Sequence, residues 1–125
     1  MNNTDIQKLL QEANDCVPRL CFEEANNLIA TANTLIIDVR ETSEVEATGL
    51  IKNAVNIPKS IIDNNFDHSL IKNYLNKNED ITILVYCAAG IRSAIVGHKL
   101  IREDYINVFN IGGYAEWLTN EELNS

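Results

Sequence analysis

The sequence predicts an α/β protein with a mainly parallel sheet, organised around a single domain. Short apolar runs alternate along the chain with amphipathic helical patterns, which is typical of a sheet covered by helices. Two of these runs, at residues 35–39 and 81–86, consist mostly of branched apolar side chains, as buried parallel strands do. The length of 125 residues, with 46% hydrophobic side chains, fits one domain that has its own core.

The first part of the chain predicts two helices. Apolar residues at helical spacing define the first one: Ile6, Leu9, Leu10 and Ala13. Pro18 interrupts this pattern, so we interpret residues 1–17 as an N-terminal helical arm and residues 18–125 as the domain. The second helix opens with Glu23 and Glu24, where acidic side chains suit the helix dipole, and its apolar residues again share one face: Ala25, Leu28, Ile29 and Ala32.

The middle of the chain predicts short strands and short helices. The strand at residues 35–39 is followed at once by charged residues, and Ser43 and Glu46 have the spacing of a capping box that would open a helix. A short strand at residues 54–57 ends at Pro58. Asp67 is placed to cap a further helix, which runs to Leu75.

The last part of the chain contains the strongest strand pattern, at residues 81–86, which leads directly into a segment of small residues at 87–90. A helical pattern follows from position 92 or 93 to about 103. A final strand covers residues 108–111, and two glycines then turn the chain into a short helix around Trp117.

Composition excludes several classes of function. The formal net charge is −8, and nucleic-acid binding needs clustered basic residues, so we expect no nucleic-acid partner. No apolar stretch approaches the roughly 20 residues of a membrane span, and the N-terminus shows no signal-peptide pattern. The three cysteines form no C-x-x-C pair, which argues against a disulfide framework or a metal site and favours a reducing cytoplasm.

Cys87 is the candidate nucleophile because it lies between a predicted strand and a predicted helix. Ligands of open α/β sheets bind beyond the carboxyl ends of the strands, and the amino end of a helix favours negative charge there. Arg92 adds a positive charge, and such surroundings lower a thiol pKa from about 8.5 toward about 3.5–7.5. The small loop residues Ala88, Ala89 and Gly90 allow backbone N–H groups to converge on one anion. A cysteine after a strand is otherwise an ordinary core residue.

Four segments in order resemble the rhodanese family. Leu35–Glu41 is similar to its "DVRE" strand end, and Glu44–Pro58 to its "E…GHIPGAxNIP" segment, with Leu50 and Asn53 in place of His and Gly. Cys87–Ser93 resembles the active-site loop of the single-domain members. Asn107–Trp117 is similar to the closing "NVYNLxGGxxxW" segment.

The resemblance implies a five-stranded parallel sheet flanked by helices on both faces. It also implies a thiosulfate sulfurtransferase, in which Cys87 takes sulfane sulfur from a small anionic donor as a persulfide and passes it to cyanide, a thiol or a protein acceptor. The loop residues Ala88, Ala89, Gly90, Ile91 and Arg92 would bind the substrate. Asp38, Arg40 and Ser93 would support the site, and no metal or organic cofactor is expected.

Other interpretations remain open at this stage. A cysteine phosphatase or arsenate reductase also uses a Cys…Arg loop, but with five intervening residues where this chain has four. A persulfide carrier for one protein partner and a non-catalytic rhodanese-like binding module are further alternatives. Arg40 either pairs with Glu44, while Asp38 holds a loop, or adds positive potential to the pocket. Cys16 and Cys21 are expected to be bystanders, with a sulfur relay as the alternative.

Overall fold

The computed structural model describes residues 3–74 and 81–124. In this part of the chain four parallel strands form one sheet in the order β2-β1-β3-β4. The strands are β1 Thr34–Asp38, β2 Ala54–Asn56, β3 Thr82–Cys87 and β4 Asn107–Gly113. The two central strands, β1 and β3, contain the apolar runs from which the sequence predicts buried parallel strands, and that prediction is confirmed.

Helices connect the strands in the described part of the chain. Their bounds are α1 Asn3–Cys16, α2 Phe22–Thr31, α3 Thr42–Thr48, α4 Lys59–Asn65, α5 Ser69–Lys72, α6 Ile91–Arg102 and α7 Tyr114–Leu123. The helix α6 is the crossover between β3 and β4, and its N-terminus follows the small-residue loop directly. Among the described residues, no helix combines the length and the apolar composition needed to cross a membrane.

The sheet separates two hydrophobic cores, because alternate side chains of a strand point to opposite faces. On one face, Ile37 and Val85 pack with residues of α4, α5 and α6 such as Ile62 and Leu100. On the other face, Leu84 packs with residues of α2 and α7, including Trp117. The predicted α/β architecture, with helices on both faces of a parallel sheet, is therefore confirmed.

The expectation of a fifth strand is wrong for the described residues, where the sheet has four strands. The chain at Arg19 forms only an isolated parallel bridge to Asn110 of β4. Asn110 N–H donates to Pro18 O at 3.0 Å, and Leu20 N–H donates to Asn110 O at 3.0 Å. The pairing stops there because Pro18 has no N–H to donate and Cys21 already caps α2.

Three local predictions need correction. The helix α3 is opened by a capping box of Glu41 and Glu44, two residues before the predicted pair Ser43 and Glu46. The chain after Pro58 enters α4, a helix that the sequence patterns did not predict. The N-cap of the next helix is His68, one residue after the predicted Asp67, although Asp67 Oδ1 accepts the N–H of Ser69 at 2.9 Å. The predicted end of that helix, Leu75, lies outside the described residues.

The N-terminal helix α1 packs against α6. Ala13 is completely buried, and Val17 belongs to the same core as the strands. Gly97 lets the two segments approach, because a methyl group there would come within 2.9 Å of Val17 Cγ1. Residues 3–17 are thus joined to the rest of the molecule by a packed interface.

Candidate active site around Cys87

Cys87 is the last residue of β3, and α6 begins four residues later at Ile91. Asp38 ends β1 beside it, so the candidate site lies at the carboxyl edge of the sheet, where α/β proteins bind ligands. The Cys87 side chain is buried, with 1% of its surface exposed. Its Sγ accepts the N–H of Gly90 at 2.9 Å and lies 3.5 Å from Ser93 Oγ.

These contacts lower the pKa of the Cys87 thiol. Burial alone would raise the pKa, because it disfavours the charged thiolate. Hydrogen bonds from the Ser93 hydroxyl and from backbone N–H groups of Ser93, Ala89 and Gly90 outweigh burial and favour the thiolate. The loop and the first turn of α6 therefore form a cup of donors around one sulfur atom.

Two glycines make this cup possible. Gly90, the N-cap of α6, has φ of +93°, a left-handed conformation that side chains disfavour. Gly113 at the end of β4 lies against the loop, and a methyl group there would come within 2.5 Å of Ala88 O. The exposed residues Ala88 and Ala89 are held between these two points, which fixes the path of the loop over the sulfur.

Asn110 of β4 ties the loop to the sheet. Its side chain is buried, and its Nδ2 donates to Gly90 O at 2.9 Å. Its Oδ1 accepts both the hydroxyl of Ser93 at 2.8 Å and the N–H of Gly112 at 2.9 Å. Because Ser93 in turn contacts the sulfur, Asn110 orients the hydroxyl group that faces Cys87. Asn110 was not among the predicted site residues.

Asp38 and Arg40 form a buried ion pair beside the loop. Arg40 Nη2 lies 2.7 Å from Asp38 Oδ2, and both side chains are almost completely buried. The guanidinium group also donates to Thr48 Oγ1 and Gly49 O, and it stacks 4.2 Å from the centre of the Tyr114 ring. The expected pairing of Arg40 with Glu44 is wrong, because the nearer acid is the strand residue two positions earlier.

Glu44 pairs instead with Arg92. The two guanidinium nitrogens Nη1 and Nη2 donate to Glu44 Oε2 and Oε1 at 2.7 and 2.9 Å. Hydrogen bonds from Arg92 and from the N–H of Glu41 lower the pKa of Glu44 to about 2. Arg92 is therefore not a free cation at the loop: its pKa is raised chiefly by Glu44, with a smaller contribution from Cys87.

A cleft of about 370 Å³ opens next to the loop. Its walls include the arginine and glutamate of the two ion pairs, the aromatic ring of α7 and several small side chains: Arg40, Glu44, Ala47, Thr48, Ala88, Tyr114 and Ala115. The hydroxyl of Tyr114 donates to Thr48 O at 2.6 Å, so the ring is fixed across the cleft. This cleft is a space from which a small molecule could reach the loop.

The structure brings most of the predicted residues together, and three others remain apart. Ile91 belongs to the loop, but its side chain is 54% exposed. Cys16 and Cys21 are free thiols on the surface of the described chain. The sequence did not predict Asn110 or Arg19, whose guanidinium group covers Gly90 and Gly112, and it assigned Glu44 to Arg40 instead of Arg92. Glu44 and Asn110 lie within the motif segments, and Arg19 lies two residues before Cys21. No other feature of the sequence indicated that these residues belong to the site.

Comparison with known proteins shows a clear relationship. A family described as "Rhodanese-like domain" matches residues 22–120. A curated relative, the tRNA uridine(34) hydroxylase of Photorhabdus laumondii, is 27% identical over 96 residues, which are 76% of this chain and 26% of that protein. The chain thus spans about a quarter of that relative's length.

Solved structures share the fold. A Rhodopseudomonas palustris protein described as of unknown function and a possible tyrosine phosphatase has a TM-score of 0.79 and 23% identity, covering 97% of this chain and 94% of that one. A human single-domain sulfurtransferase has a TM-score of 0.67 and 22% identity, covering 82% of this chain and 96% of that one. At these identities the likeness concerns the fold alone.

Proposed function

The chain belongs to the rhodanese-like family, and from this premise we propose that it is a sulfurtransferase that carries sulfane sulfur as a persulfide on Cys87. The donor is a small sulfane-sulfur anion such as thiosulfate, and the acceptor is cyanide or a thiol, including a thiol on a protein. The residues proposed to act are Cys87 as nucleophile and the loop from Ala88 to Arg92 as its binding cup.

The observation that carries this proposal is the set of hydrogen-bond donors that converge on one buried sulfur. A thiolate is the nucleophilic form of cysteine, and the N–H groups that favour it can also hold the terminal sulfur of a persulfide. Four loop residues separate Cys87 from Arg92, which leaves space for a sulfur atom rather than for a tetrahedral phosphate.

The proposed reaction has two steps. The Cys87 thiolate attacks the outer sulfur of thiosulfate, an S–S bond forms, and the bond to the SO₃ group breaks so that sulfite leaves with its electron pair. The product is the persulfide anion on Cys87. In the second step, cyanide or a thiolate attacks the terminal sulfur, and the Cys87 thiolate leaves. No electrons are gained or lost overall, so the residues of the loop need no redox partner.

Other functions receive less support. The hydroxylase relative is matched over about a quarter of its length, so its reaction on tRNA is not carried over to this chain, whose net charge of −8 also disfavours RNA. A phosphatase needs positive charge for a phosphate dianion, and Arg92 already has a carboxylate partner. A carrier that serves one protein acceptor uses the same persulfide and is a special case of the proposal.

The test is intact-mass analysis of the reduced protein before and after thiosulfate, then after cyanide. We expect one added sulfur, located on Cys87 by peptide mapping, which cyanide removes as thiocyanate. The matched control is the Cys16→Ser, Cys21→Ser double variant, which keeps Cys87 and should load and turn over as the wild type does. Cys87→Ser should neither load nor turn over, although it keeps the fold.

Two results would contradict the proposal. One is a sulfur adduct on Cys16 or Cys21 in place of Cys87. The other is hydrolysis of p-nitrophenyl phosphate that depends on Cys87 and is comparable in rate to thiocyanate formation.

A further inference from the structure

The three arginines around the candidate active site each form an ion pair with a different acidic side chain. Arg92 pairs with Glu44 at 2.7 Å, and Arg40 pairs with Asp38 at 2.7 Å. Arg19, which covers the outer side of Gly90, lies 3.5 Å from Glu116. Positive charge that would otherwise attract an anionic substrate to the loop is therefore compensated within the protein.

Of the three acids, Glu44 is the one that lines the cleft, where Arg40 and Ala88 also lie, whereas its partner Arg92 does not line it. Its carboxylate accepts three hydrogen bonds, two from Arg92 and one from the N–H of Glu41 at 2.8 Å. With both oxygens engaged, the group stays ionised at neutral pH, so a negative charge forms part of the cleft wall.

The rest of the cleft suits an organic group. Three alanines contribute methyl groups, namely Ala47, Ala88 and Ala115, and the ring of Tyr114 closes one side. The guanidinium group of Arg40 stacks on that ring and is already satisfied by Asp38, Thr48 and Gly49. Desolvating a small dianion against such walls is unfavourable, because no uncompensated cation replaces its water.

We propose that Glu44 is a specificity-determining residue, and that it makes the site favour sulfane-sulfur donors that carry their sulfur on an organic group and have at most one negative charge. The geometry disfavours thiosulfate, which has two charges. This inference rests on the proposed function, because it concerns the donor used by the same Cys87.

The step is the same for an organic donor and balances in atoms and electrons. For a persulfide R–S–SH, the Cys87 thiolate attacks the outer sulfur, the new S–S bond forms, and the S–S bond between the donor's inner and outer sulfur atoms breaks. The group R–S⁻ leaves with the electron pair, and the proton stays on the transferred sulfur. For a thiosulfonate, the leaving group is the sulfinate instead of the thiolate.

The experiment compares two donors that differ by one charge. Thiosulfate and methanethiosulfonate both offer an outer sulfane sulfur, but the second has a methyl group in place of one charged oxygen. The kcat/KM of thiocyanate formation is measured for each donor with wild type and Glu44→Gln. The amide keeps an oxygen for the N–H of Glu41 but removes the charge, so Arg92 gains a surplus positive charge.

We expect Glu44→Gln to raise kcat/KM for thiosulfate relative to methanethiosulfonate by roughly tenfold, since one charge close to the donor is changed. A change in the reactivity of Cys87 itself alters both donors equally and cancels in this ratio. The matched control is Glu46→Gln, which removes one charge from an exposed position of the same helix and should leave the ratio unchanged.

Two outcomes would overturn the inference, and they are distinguishable. An unchanged ratio in Glu44→Gln, with both donors still loading sulfur on Cys87, contradicts the role of Glu44 and leaves the proposed function intact. Failure of both donors to place sulfur on wild-type Cys87 contradicts the proposed function and the inference with it.

Discussion

At the scale of single residues, the lowered pKa of Cys87 depends mainly on a hydroxyl group. Ser93 is completely buried, lies in the first turn of α6, and its Oγ is 3.5 Å from Cys87 Sγ. Its hydrogen bond is the largest of the contributions that lower the pKa of Cys87. Asn110 holds that hydroxyl through a 2.8 Å hydrogen bond, so two neutral side chains help to stabilise one negative charge.

We therefore predict that Ser93→Ala raises the pKa of Cys87. A thiol with a lowered pKa is thiolate above that pKa and loses its reactivity as the pH falls through it, so the variant should lose reactivity at a higher pH than wild type. The measurement is the rate of alkylation of Cys87 by iodoacetamide as a function of pH. Ser69→Ala, at an exposed position, should leave the profile unchanged. Superimposable profiles for Ser93→Ala and wild type would contradict this role.

The two ion pairs of the site should respond differently to mutation. Arg40→Ala leaves Asp38 buried without its partner, so we expect a loss of about 3–5 kcal/mol in the free energy of unfolding. Arg92 and Glu44 are partly exposed, so Arg92→Ala should cost less than about 1 kcal/mol. The same variant should lower thiosulfate turnover, because it leaves the Glu44 carboxylate uncompensated near the sulfur.

Urea denaturation and steady-state kinetics of both variants test this pair of expectations. Equal losses of stability would show that the burial of the Arg40–Asp38 pair has no energetic consequence. Full thiosulfate activity in Arg92→Ala would remove that residue from the site.

The residues of the loop could be predicted from the sequence because they are consecutive. Cys87, its small neighbours and Arg92 lie within six positions, so a local pattern contains them all. The partner of Arg92 could not be predicted in this way, because Glu44 is 48 positions earlier and approaches only when β1 and β3 pair. Asn110 was missed for the same reason, since two of its three side-chain contacts, those to Gly90 O and Ser93 Oγ, exist only after β4 and α6 have packed.

At the scale of elements, the end of β4 shapes the loop after β3. The register of the two strands shifts between Val85 and Tyr86, and beyond this irregularity Cys87 lies opposite Gly113. Gly113 lies so close to Ala88 that the end of β4 packs directly against the loop and limits its position. The position of the loop after Cys87 is thus a property of the β3–β4 pair rather than of the loop sequence alone.

We predict that Gly113→Ala lowers sulfur transfer strongly, by roughly 100-fold or more, because the added methyl group displaces Ala88 and a shift of about 1 Å in an active site has effects of this size. Gly97→Ala is the control for stability: it adds the same group at a buried glycine of α6 that contacts Val17 rather than the loop, so it should lower the unfolding temperature while the folded protein keeps its turnover. Kinetics and thermal unfolding of both variants would decide. Near wild-type turnover in folded Gly113→Ala would show that the loop tolerates the displacement.

The strands were more predictable than the short helices. Apolar runs such as Ile81–Tyr86 have one physical explanation, burial on both faces, whereas α4 buries only Ile62 and is otherwise polar or exposed. The start of α4 was not recognised because Pro58, which predicted the end of the strand at residues 54–57, also serves as the N-cap of this helix. Each of the four strands of the described sheet was predicted from its own apolar run, whereas a fifth strand was expected only from the family resemblance.

At the scale of the whole molecule, the net charge of −8 opposes the approach of anions. The ion pairs at the site cancel locally, so they do not offset this long-range repulsion. Salt screens charges over about 8 Å at physiological ionic strength, and it therefore weakens the repulsion before the donor reaches the cleft. The charge of the whole chain and the charge of the cleft act at different distances.

We predict that kcat/KM for thiosulfate rises about two- to fivefold between about 20 and 200 mM KCl, the direction expected when a repulsive field is screened. Methanethiosulfonate, with a single charge, should show a smaller rise and serves as the control. A fall in kcat/KM for thiosulfate with added salt would mean that attraction to the arginines outweighs the net charge of the protein.

The burial of Cys87 has a further consequence: the resting thiol and the outer sulfur of the persulfide differ in their accessibility to reagents in solution. With 1% of its surface exposed, the resting thiol is shielded from bulky oxidants and from alkylating reagents larger than iodoacetamide, although its pKa is lowered. A persulfide lengthens the side chain by one S–S bond of about 2.05 Å, and we expect the added sulfur to point toward the loop surface, because the core side of Cys87 is already packed. The loaded protein should therefore be labelled by a bulky maleimide faster than the resting one. Only the persulfide form would then expose a reactive sulfur atom to an acceptor.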